Sequence, residues 1–268
     1  MPTKTAATPS TRGESPVKVL SKAAALLGVL AARRDATPGE LADELSEPRS
    51  TLYRLLAALE EHGFVEPSPR RGAYQLGLRL FTLGSAVARR FADVRAAALP
   101  TLERLHEATR QTIFLTIRRG FEAVCVERLD GELVQVMVLP VGGSIALHGG
   151  ANARALLAFE PEPFWDEYVR HAPLQRFTGK TPVTKDALFG ELRQVRASGF
   201  SISDEDVIPG IASIGAPIFD HTGRLRASLS MSGPRPSVLA EHQAVNVELV
   251  QEAGAEISRQ LGKQHTGQ

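Results

Sequence analysis

The segment SEPRSTLYRLLAALEEHGF, Ser46 to Phe64, limits the folds open to this chain more than any other. Wound as a helix, it places Leu52, Leu55, Leu56 and Leu59 on one face at the i, i+3, i+4, i+7 spacing, with Ser50, Arg54, Ala57 and Ala58 on the opposite face. The turn residues Ser46-Glu47-Pro48 precede it and Gly63 ends it. Just upstream, Thr37-Pro38 with Glu40 reads as an N-cap, an N1 proline and the second half of a capping box, opening a short helix through Leu41 and Ala42 to Leu45. From Val17, an apolar stripe of Leu20, Ala24, Leu27 and Ala31, with Leu30 beside it, makes a helix that stops at Arg33-Arg34-Asp35. Two helices joined by a tight turn define a helix-turn-helix.

After Gly63, Phe64-Val65-Glu66 reads as a strand, Pro67 to Gly72 as a turn carrying Arg70 and Arg71, and Ala73 to Leu76 as the returning strand, which adds a wing. Leu80, Leu83 and Val87 recur at helical spacing between Leu78 and Phe91. A helix from Val94 to Thr109 follows, and then the period changes. Ile113–Ile117, Ala123–Leu129 and Val134–Leu139 are short β-branched runs separated by Arg119-Gly120 and Asp130-Gly131. Ser144–Leu147, Ser213–Phe219 and Leu225–Met231 are further strands; Asn152–Phe159, Ala187–Ala197 and Ala240–Leu261 are helices. The expected fold class is α+β: an N-terminal winged helix-turn-helix, a linker helix, and a C-terminal antiparallel sheet flanked by helices. The expected division is a disordered tail at 1–16, a DNA-binding domain at 17–77, a linker helix at 78–92 and a second domain at 93–263.

The 268 residues allow a sizeable core, being 43% hydrophobic. The longest near-continuous apolar run, Ala23 to Ala32, is shorter than the ~20 residues of a spanning helix, and no signal-peptide pattern opens the chain. A cytoplasmic protein without a membrane partner is expected. Cys125 is the single cysteine, which excludes an internal disulfide, and no Cys/His cluster has zinc spacing, so no metal or other cofactor is expected. The formal net charge of +1 is unevenly divided, with 13 Lys and Arg against 9 Asp and Glu in residues 1–92 but 18 against 21 in residues 93–268. A basic first third suits a polyanion.

The outer face of the Ser46–Phe64 helix is therefore read as a DNA reader in the major groove. Arg49, Ser50, Thr51, Tyr53 and Arg54 are its candidate contacts, with Arg70 and Arg71 of the wing on phosphates. A solvated face of an ordinary amphipathic helix is the alternative; the capped helix before it, the basic wing and the charge bias together favour DNA. The expected partner is double-stranded DNA bearing a pseudo-palindromic operator, met by a homodimer or a dimer of dimers.

The succession ELADEL, RSTLYRLLAALEEHGFVE, GAYQLGLRLFTLG, LHGGANARALLAF, SGFSISDED and ASLSMSGP resembles the IclR family of bacterial transcriptional regulators, over about Val17 to Leu261. The resemblance implies a winged helix-turn-helix, a linker helix used in dimerisation, and a GAF-like effector-binding domain for a small molecule. It also implies that the amides of Ala151 and Asn152, together with Ser203, Ser213, Ser230 and Ser232, contact that effector. Independently, Gly149-Gly150-Ala151-Asn152 between a strand and a helix suits an anion at a helix N-terminus. Met137, Leu139, Ile145 and Leu147 are candidate apolar walls. The family's usual Gly-Lys is Ala153-Arg154 here, and its often acidic position is Ser203; fewer acids favour a carboxylate effector, an aromatic or keto acid.

Three other readings stay open at this level. Gly149-Gly150 is equally a tight connection, and Ser228, Ser230 and Ser232 one face of a strand. Cys125 and His148 can be imagined as a nucleophile and base, yet Val124-Cys125-Val126 reads as a small buried hydrophobe in a strand and no third group orients the pair, so no enzyme is expected. Asp204-Glu205-Asp206 is expected to be a solvated acidic run rather than a cation site, and Asp220-His221 a turn. A second domain that only dimerises is the remaining alternative to a sensor.

Overall fold

The computed structural model describes residues 16–132, 139–240 and 242–265. Residues 1–15 of the expected tail, the strand candidate at 134–139 (except Leu139) and the wall candidate Met137 lie outside the described residues; Pro16, expected in the tail, opens the first helix. The chain divides into two compact units, Met1–Arg89 and Arg90–Gln268.

The first unit contains α1 (Pro16–Arg33), β1 (Asp35–Ala36), α2 (Pro38–Leu45), α3 (Arg49–Glu61), β2 (Val65–Pro67), β3 (Tyr74–Leu76) and α4 (Leu78–Ala88). The capping box at α2 forms as the sequence requires: the Glu40 amide donates to Thr37 Oγ1 at 3.3 Å, and the Thr37 amide donates to Glu40 Oε2 at 2.7 Å. Ser46 closes α2 in the left-handed region, φ 52°, which turns the chain into α3. Leu52, Leu55 and Leu56 are buried with Leu26, Leu30, Leu41 and Val65, and Leu59 packs against them. The wing is one strand larger than expected. Asp35 and Ala36 pair antiparallel with Gln75 and Tyr74, giving the order β1-β3-β2. A two-residue strand has no periodicity to read.

The second unit begins with α5 (Ala92–Thr109), reached through a 3₁₀ turn at Arg89–Phe91, and continues with β4 (Thr112–Arg119), β5 (Glu122–Leu129) and β6 (Ser144–Ala146). Then come α6 (Gly150–Ala158), α7 (Glu162–His171), α8 (Lys185–Ser198), β7 (Ser201–Asp204), β8 (Ile211–Phe219), β9 (Leu225–Pro234), α9 (Arg235–Leu239) and α10 (Gln243–His265). The strands form one antiparallel sheet in the order β6-β5-β4-β9-β8-β7. Strand alternation divides its two faces. Ile113, Leu115, Ile214, Ile218, Leu229 and Met231 join Leu102 of α5 and Ile257 of α10 in one core. The other face carries Ser213, Gly215, Ser228, Ser230 and Ser232, small residues, and α6 packs against it at Gly215 and Ser228. Beyond α6, Leu156, Trp165, Tyr168, Leu188 and Leu192 make a second core between helices. Helices α7 and α9 and strand β7 were not anticipated: α7 begins behind Pro161 with Pro163 in its first turn, and β7 is four residues long.

Two glycines fix the base of the wing. Gly63 ends α3 at φ +69°, where a Cβ is strained, and the Gly77 amide donates to the Phe64 carbonyl at 2.9 Å. A Cβ on Gly77 would lie 2.3 Å from the Gly63 carbonyl oxygen, a backbone atom with nowhere to go. Gly77→Ala is therefore expected to destabilise the first unit by about 1–3 kcal/mol through overpacking. Gly84→Ala, in α4 with open space around its Cα, should be neutral or gain up to about 1 kcal/mol from helix propensity. Urea unfolding of both variants followed by far-ultraviolet circular dichroism checks the contrast; equal midpoints would sink it.

Candidate nucleic-acid interface and effector cavity

In the first unit the leucine face of α3 is consumed by the core, so what remains outward is the polar face. Arg49, Ser50, Tyr53, Arg54, Ala57 and Ala58 are exposed and Thr51 is half-buried. Tyr53 is 58% exposed, too much for a side chain held by packing alone. Of the wing arginines, Arg71 is exposed. Arg70 is engaged within the unit: its Nη1 donates to Asp35 Oδ1 at 3.1 Å and its Nη2 to Glu40 Oε2 at 2.6 Å. The hydrogen bond from Arg70, joined by those from the Thr37 amide and hydroxyl, holds the Glu40 carboxyl down at about 2. Arg70 thereby ties the wing to the capping box of α2, a constraint its place in a basic turn did not reveal.

The second unit holds a cavity of about 60 Å³ at the N-terminus of α6. Phe114, Leu139, Ile145, Val207, Ile208 and Ile211 form its apolar walls, and Gly150, Asn152, Ser203, Ser213 and Ser232 its polar lining. Among the described residues, no ionisable side chain lines it. Sheet register explains the polar floor. Ser203 pairs with Ser213, and Ser213 with Ser232, so three hydroxyls form a row across β7, β8 and β9. The next row along the strands is Ser201, Gly215 and Ser230, two residues or roughly 7 Å away, and α6 begins above it. Ser201 Oγ donates to the Ala151 carbonyl, Ser228 Oγ donates to the Asn152 carbonyl at 2.8 Å, and a Cβ on Gly215 would strike the Ala151 carbonyl carbon at 2.9 Å.

This placement sets two of the expected effector residues, Ser230 and Leu147, away from the lining. The Ala151 side chain is fully buried and its carbonyl is held by Ser201, which leaves its amide in the first turn of α6. Ser230 lies one row too far, beneath α6, and Leu147 belongs to the interhelical core with Leu156 and Trp165. Leu139, Asn152, Ser203, Ser213, Ser232 and Ile145 do line it, while Phe114, Val207, Ile208 and Ile211 were missed. The signal for two of them was present: Val207-Ile208 is an apolar pair set between three acids and Pro209-Gly210.

The expectation of a solvated acidic run is also corrected. Asp206 is 3% exposed and bonds both the guanidinium of Arg154, itself 2% exposed, and the hydroxyl of Ser203. Arg154 further donates to the carbonyls of His148 at 3.1 Å and Ile202 at 2.6 Å. Asp204 is paired with Arg235 at 2.6 Å and Glu205 with Lys180 at 2.6 Å, each carboxyl lowered by that hydrogen bond. Among the described residues, no three His, Cys, Asp or Glu are placed to hold a metal ion.

Cys125 and His148 are each engaged elsewhere. Cys125 Sγ donates to the Glu127 carbonyl at 3.3 Å, and burial pushes its thiol up to about 11. His148 Nε2 lies 2.8 Å from the Gln175 carbonyl, which accepts, so Nε2 carries the proton and Nδ1 accepts from the Tyr168 hydroxyl at 2.6 Å. Burial lowers the His148 pKa and raises that of Tyr168 to about 12. Asp220 does form a turn, accepting from the Thr222 and Arg224 amides at 3.0 and 3.1 Å.

Comparison with known proteins bears on both units. A profile of the IclR helix-turn-helix domain matches residues 19–69, and one of the bacterial transcriptional regulator IclR C-terminal domain matches residues 86–259. The HTH-type transcriptional regulator KipR of Bacillus subtilis is 30% identical over 245 residues, covering 91% of this chain and 97% of KipR. The crystal structure of the Thermotoga maritima IclR superposes with a TM-score of 0.74 at 32% identity, over 92% of this chain and 99% of that one. An IclR homolog from Microbacterium hydrocarbonoxydans, complexed with 4-hydroxybenzoate, superposes with a TM-score of 0.73 at 25% identity, over 91% and 98% of the two chains.

Two outcomes test the buried polar groups. Asp206→Ala removes the buried one of the two carboxylates on Arg154, leaving the more exposed Glu191 at 3.2 Å, and should cost up to about 3–5 kcal/mol; adding Arg154→Met should recover part of that loss in urea unfolding. His148 sets a pH dependence. Its folded pKa lies below the ordinary 6.5, so below pH 6.5 the unfolded chain takes up a proton that the folded chain refuses. Stability is therefore lost as pH falls from 6.5 toward the lowered value. His148→Asn should flatten the urea midpoint over that interval, and an unchanged slope would assign it to other groups.

Proposed function

The chain belongs to the IclR family of DNA-binding transcriptional regulators, and on that footing we propose a ligand-responsive member in which a small carboxylate in the α6 cavity changes the affinity for an operator. The observation that carries the sensor reading is the cavity lining. Asn152, Ser213 and Ser232 are 7%, 8% and 7% exposed. Among the described residues, no protein group bonds Asn152 Nδ2 or the hydroxyls of Ser213 and Ser232. These are accessible polar atoms turned to an apolar cavity without a protein partner, which a scaffold does not require and a binding site uses. Helix α6 directs its N-terminal amides the same way, favouring an anion. The homolog holding 4-hydroxybenzoate supports a carboxylic acid.

On the DNA side, Arg49, Ser50, Thr51, Tyr53 and Arg54 enter the major groove and Arg71 meets a phosphate, while Arg70 braces the wing. A homodimer, or a dimer of dimers, presents two such helices to a pseudo-palindromic operator. Helix α4 offers the surface for it: Leu78 and Phe81 are 76% and 74% exposed, with Leu83 and Val87 about half exposed. No helix among the described residues is long and apolar enough to cross a membrane.

The test is a titration of the protein against its upstream intergenic DNA over several salt concentrations, with and without carboxylic acids. An acid-dependent shift in affinity is expected; an acid that binds while leaving DNA affinity and oligomeric state unchanged would rule out the coupling. Arg54→Ala should cost about 1–3 kcal/mol and relax preference at one base position, whereas Arg71→Ala should weaken all sequences alike and reduce the salt slope by about 1.

A further inference from the structure

The carboxylate reading leaves open what else the ligand must carry, and hydrogen-bond bookkeeping in the cavity answers it. A serine hydroxyl has one proton to give and two lone pairs to offer. At Ser203 the proton is already committed. Its partner, Asp206, is a carboxylate paired with the buried Arg154 guanidinium and can only accept. Ser203 must therefore be the donor of that bond, and what it turns toward the cavity is lone pairs alone.

Asn152 has the opposite polarity. Its Oδ1 accepts from the Ala153 amide at 2.8 Å, which fixes the orientation of the side-chain amide. Nδ2, with two protons and no protein acceptor among the described residues, is the group left to the cavity. It lies at the N-terminus of α6, where the helix also favours negative charge. Ser213 and Ser232 are uncommitted and can serve either role. The lining thus has a donor station at Asn152 and an acceptor station at Ser203, the latter at the β7 end of a hydroxyl row roughly 10 Å across.

We propose that the cavity selects a small hydroxycarboxylic acid, its carboxylate on Asn152 Nδ2 and the α6 amides and its hydroxyl donating to Ser203 Oγ. An unsubstituted or keto acid leaves the Ser203 lone pairs buried and unpaired. An ammonium group in place of the hydroxyl would enter a lining that has no carboxylate among the described residues. The keto acid suggested by sequence is thereby excluded in favour of the hydroxy acid. Asp206, which does not line the cavity, is the positioning residue that sets the polarity of Ser203.

This inference rests on the carboxylate reading of the same cavity, and the experiment separates the two. Isothermal titration calorimetry of the full-length protein compares three matched pairs: glycolate with acetate, lactate with propionate, and 4-hydroxybenzoate with benzoate. In at least one pair the hydroxy acid is expected to bind about tenfold tighter or more, because its rival strands a buried acceptor. Ser203→Ala should bring that ratio toward one; the ratio is internal to each protein, so a uniform loss of folded molecules does not imitate it. The wild-type ratio decides the matter even if the variant fails to fold. Ratios below about ten in every pair that binds, or a ratio that survives Ser203→Ala, overturn the assignment of the hydroxyl to Ser203 and leave the carboxylate reading standing. No binding by any of the six acids at millimolar concentration overturns the carboxylate reading and this inference with it.

Discussion

The second unit depends on how closely α6 lies against its sheet. Gly215 has no room for a Cβ beside the Ala151 carbonyl, and Ser201 and Ser228 give their hydroxyl protons to the first carbonyls of the helix. A helix seated on a bulkier strand would rest on side chains a few ångströms higher. Seated on glycine and serine, it begins one residue pair short of the Ser203, Ser213 and Ser232 row and leaves its N-terminus hanging over three hydroxyls. The cavity is the space that this contact leaves uncovered. Its chemistry, anion-seeking above and hydroxyl-lined below, follows from where the helix starts.

The first unit relies on a comparable economy of space at the wing. Gly63 and Gly77 touch backbone to backbone, so the strands of the wing emerge directly from the end of α3. Arg70 spans back to Asp35 and Glu40, which binds the wing to the same residues that cap α2. The reading helix, the helix before it and the wing are thus joined by two short contacts, and the exposed polar side of α3 is held at a fixed attitude to the wing arginines.

Much of this was legible in the chain. Thr37-Pro38 with Glu40 spelled out the cap that forms, and the four leucines of α3 announced which face is buried. Alternating serines at 228, 230 and 232 marked a strand face of small polar groups. What the pattern could not convey is which of two serines on one face is covered: Ser230 and Ser232 point the same way, and only the seat of α6 hides the first. Nor could local sequence tell that the last acid of Asp204-Glu205-Asp206 turns inward. That depends on Arg154, distant in sequence, whose guanidinium is itself buried and needs a countercharge. Ser203 looked like a neutral hydroxyl for the same reason, since its polarity is imposed from behind by a residue that a linear reading assigns to solvent.

The shared use of Asp206 also has an evolutionary consequence. One carboxylate satisfies both Arg154 and Ser203, so neither partner can change freely. An acidic side chain at position 203 would add a third carboxylate to the Asp206 and Glu191 that already share one guanidinium, and loss of Arg154 would leave Asp206 holding an uncompensated charge beneath the cavity floor. A lineage that alters the ligand preference of this protein at Ser203 must therefore pass through Asp206 or Arg154 as well, or first retain a proton between the two acids. Selectivity and folding are inherited together at this point of the chain, and the routes between one effector class and another are correspondingly few.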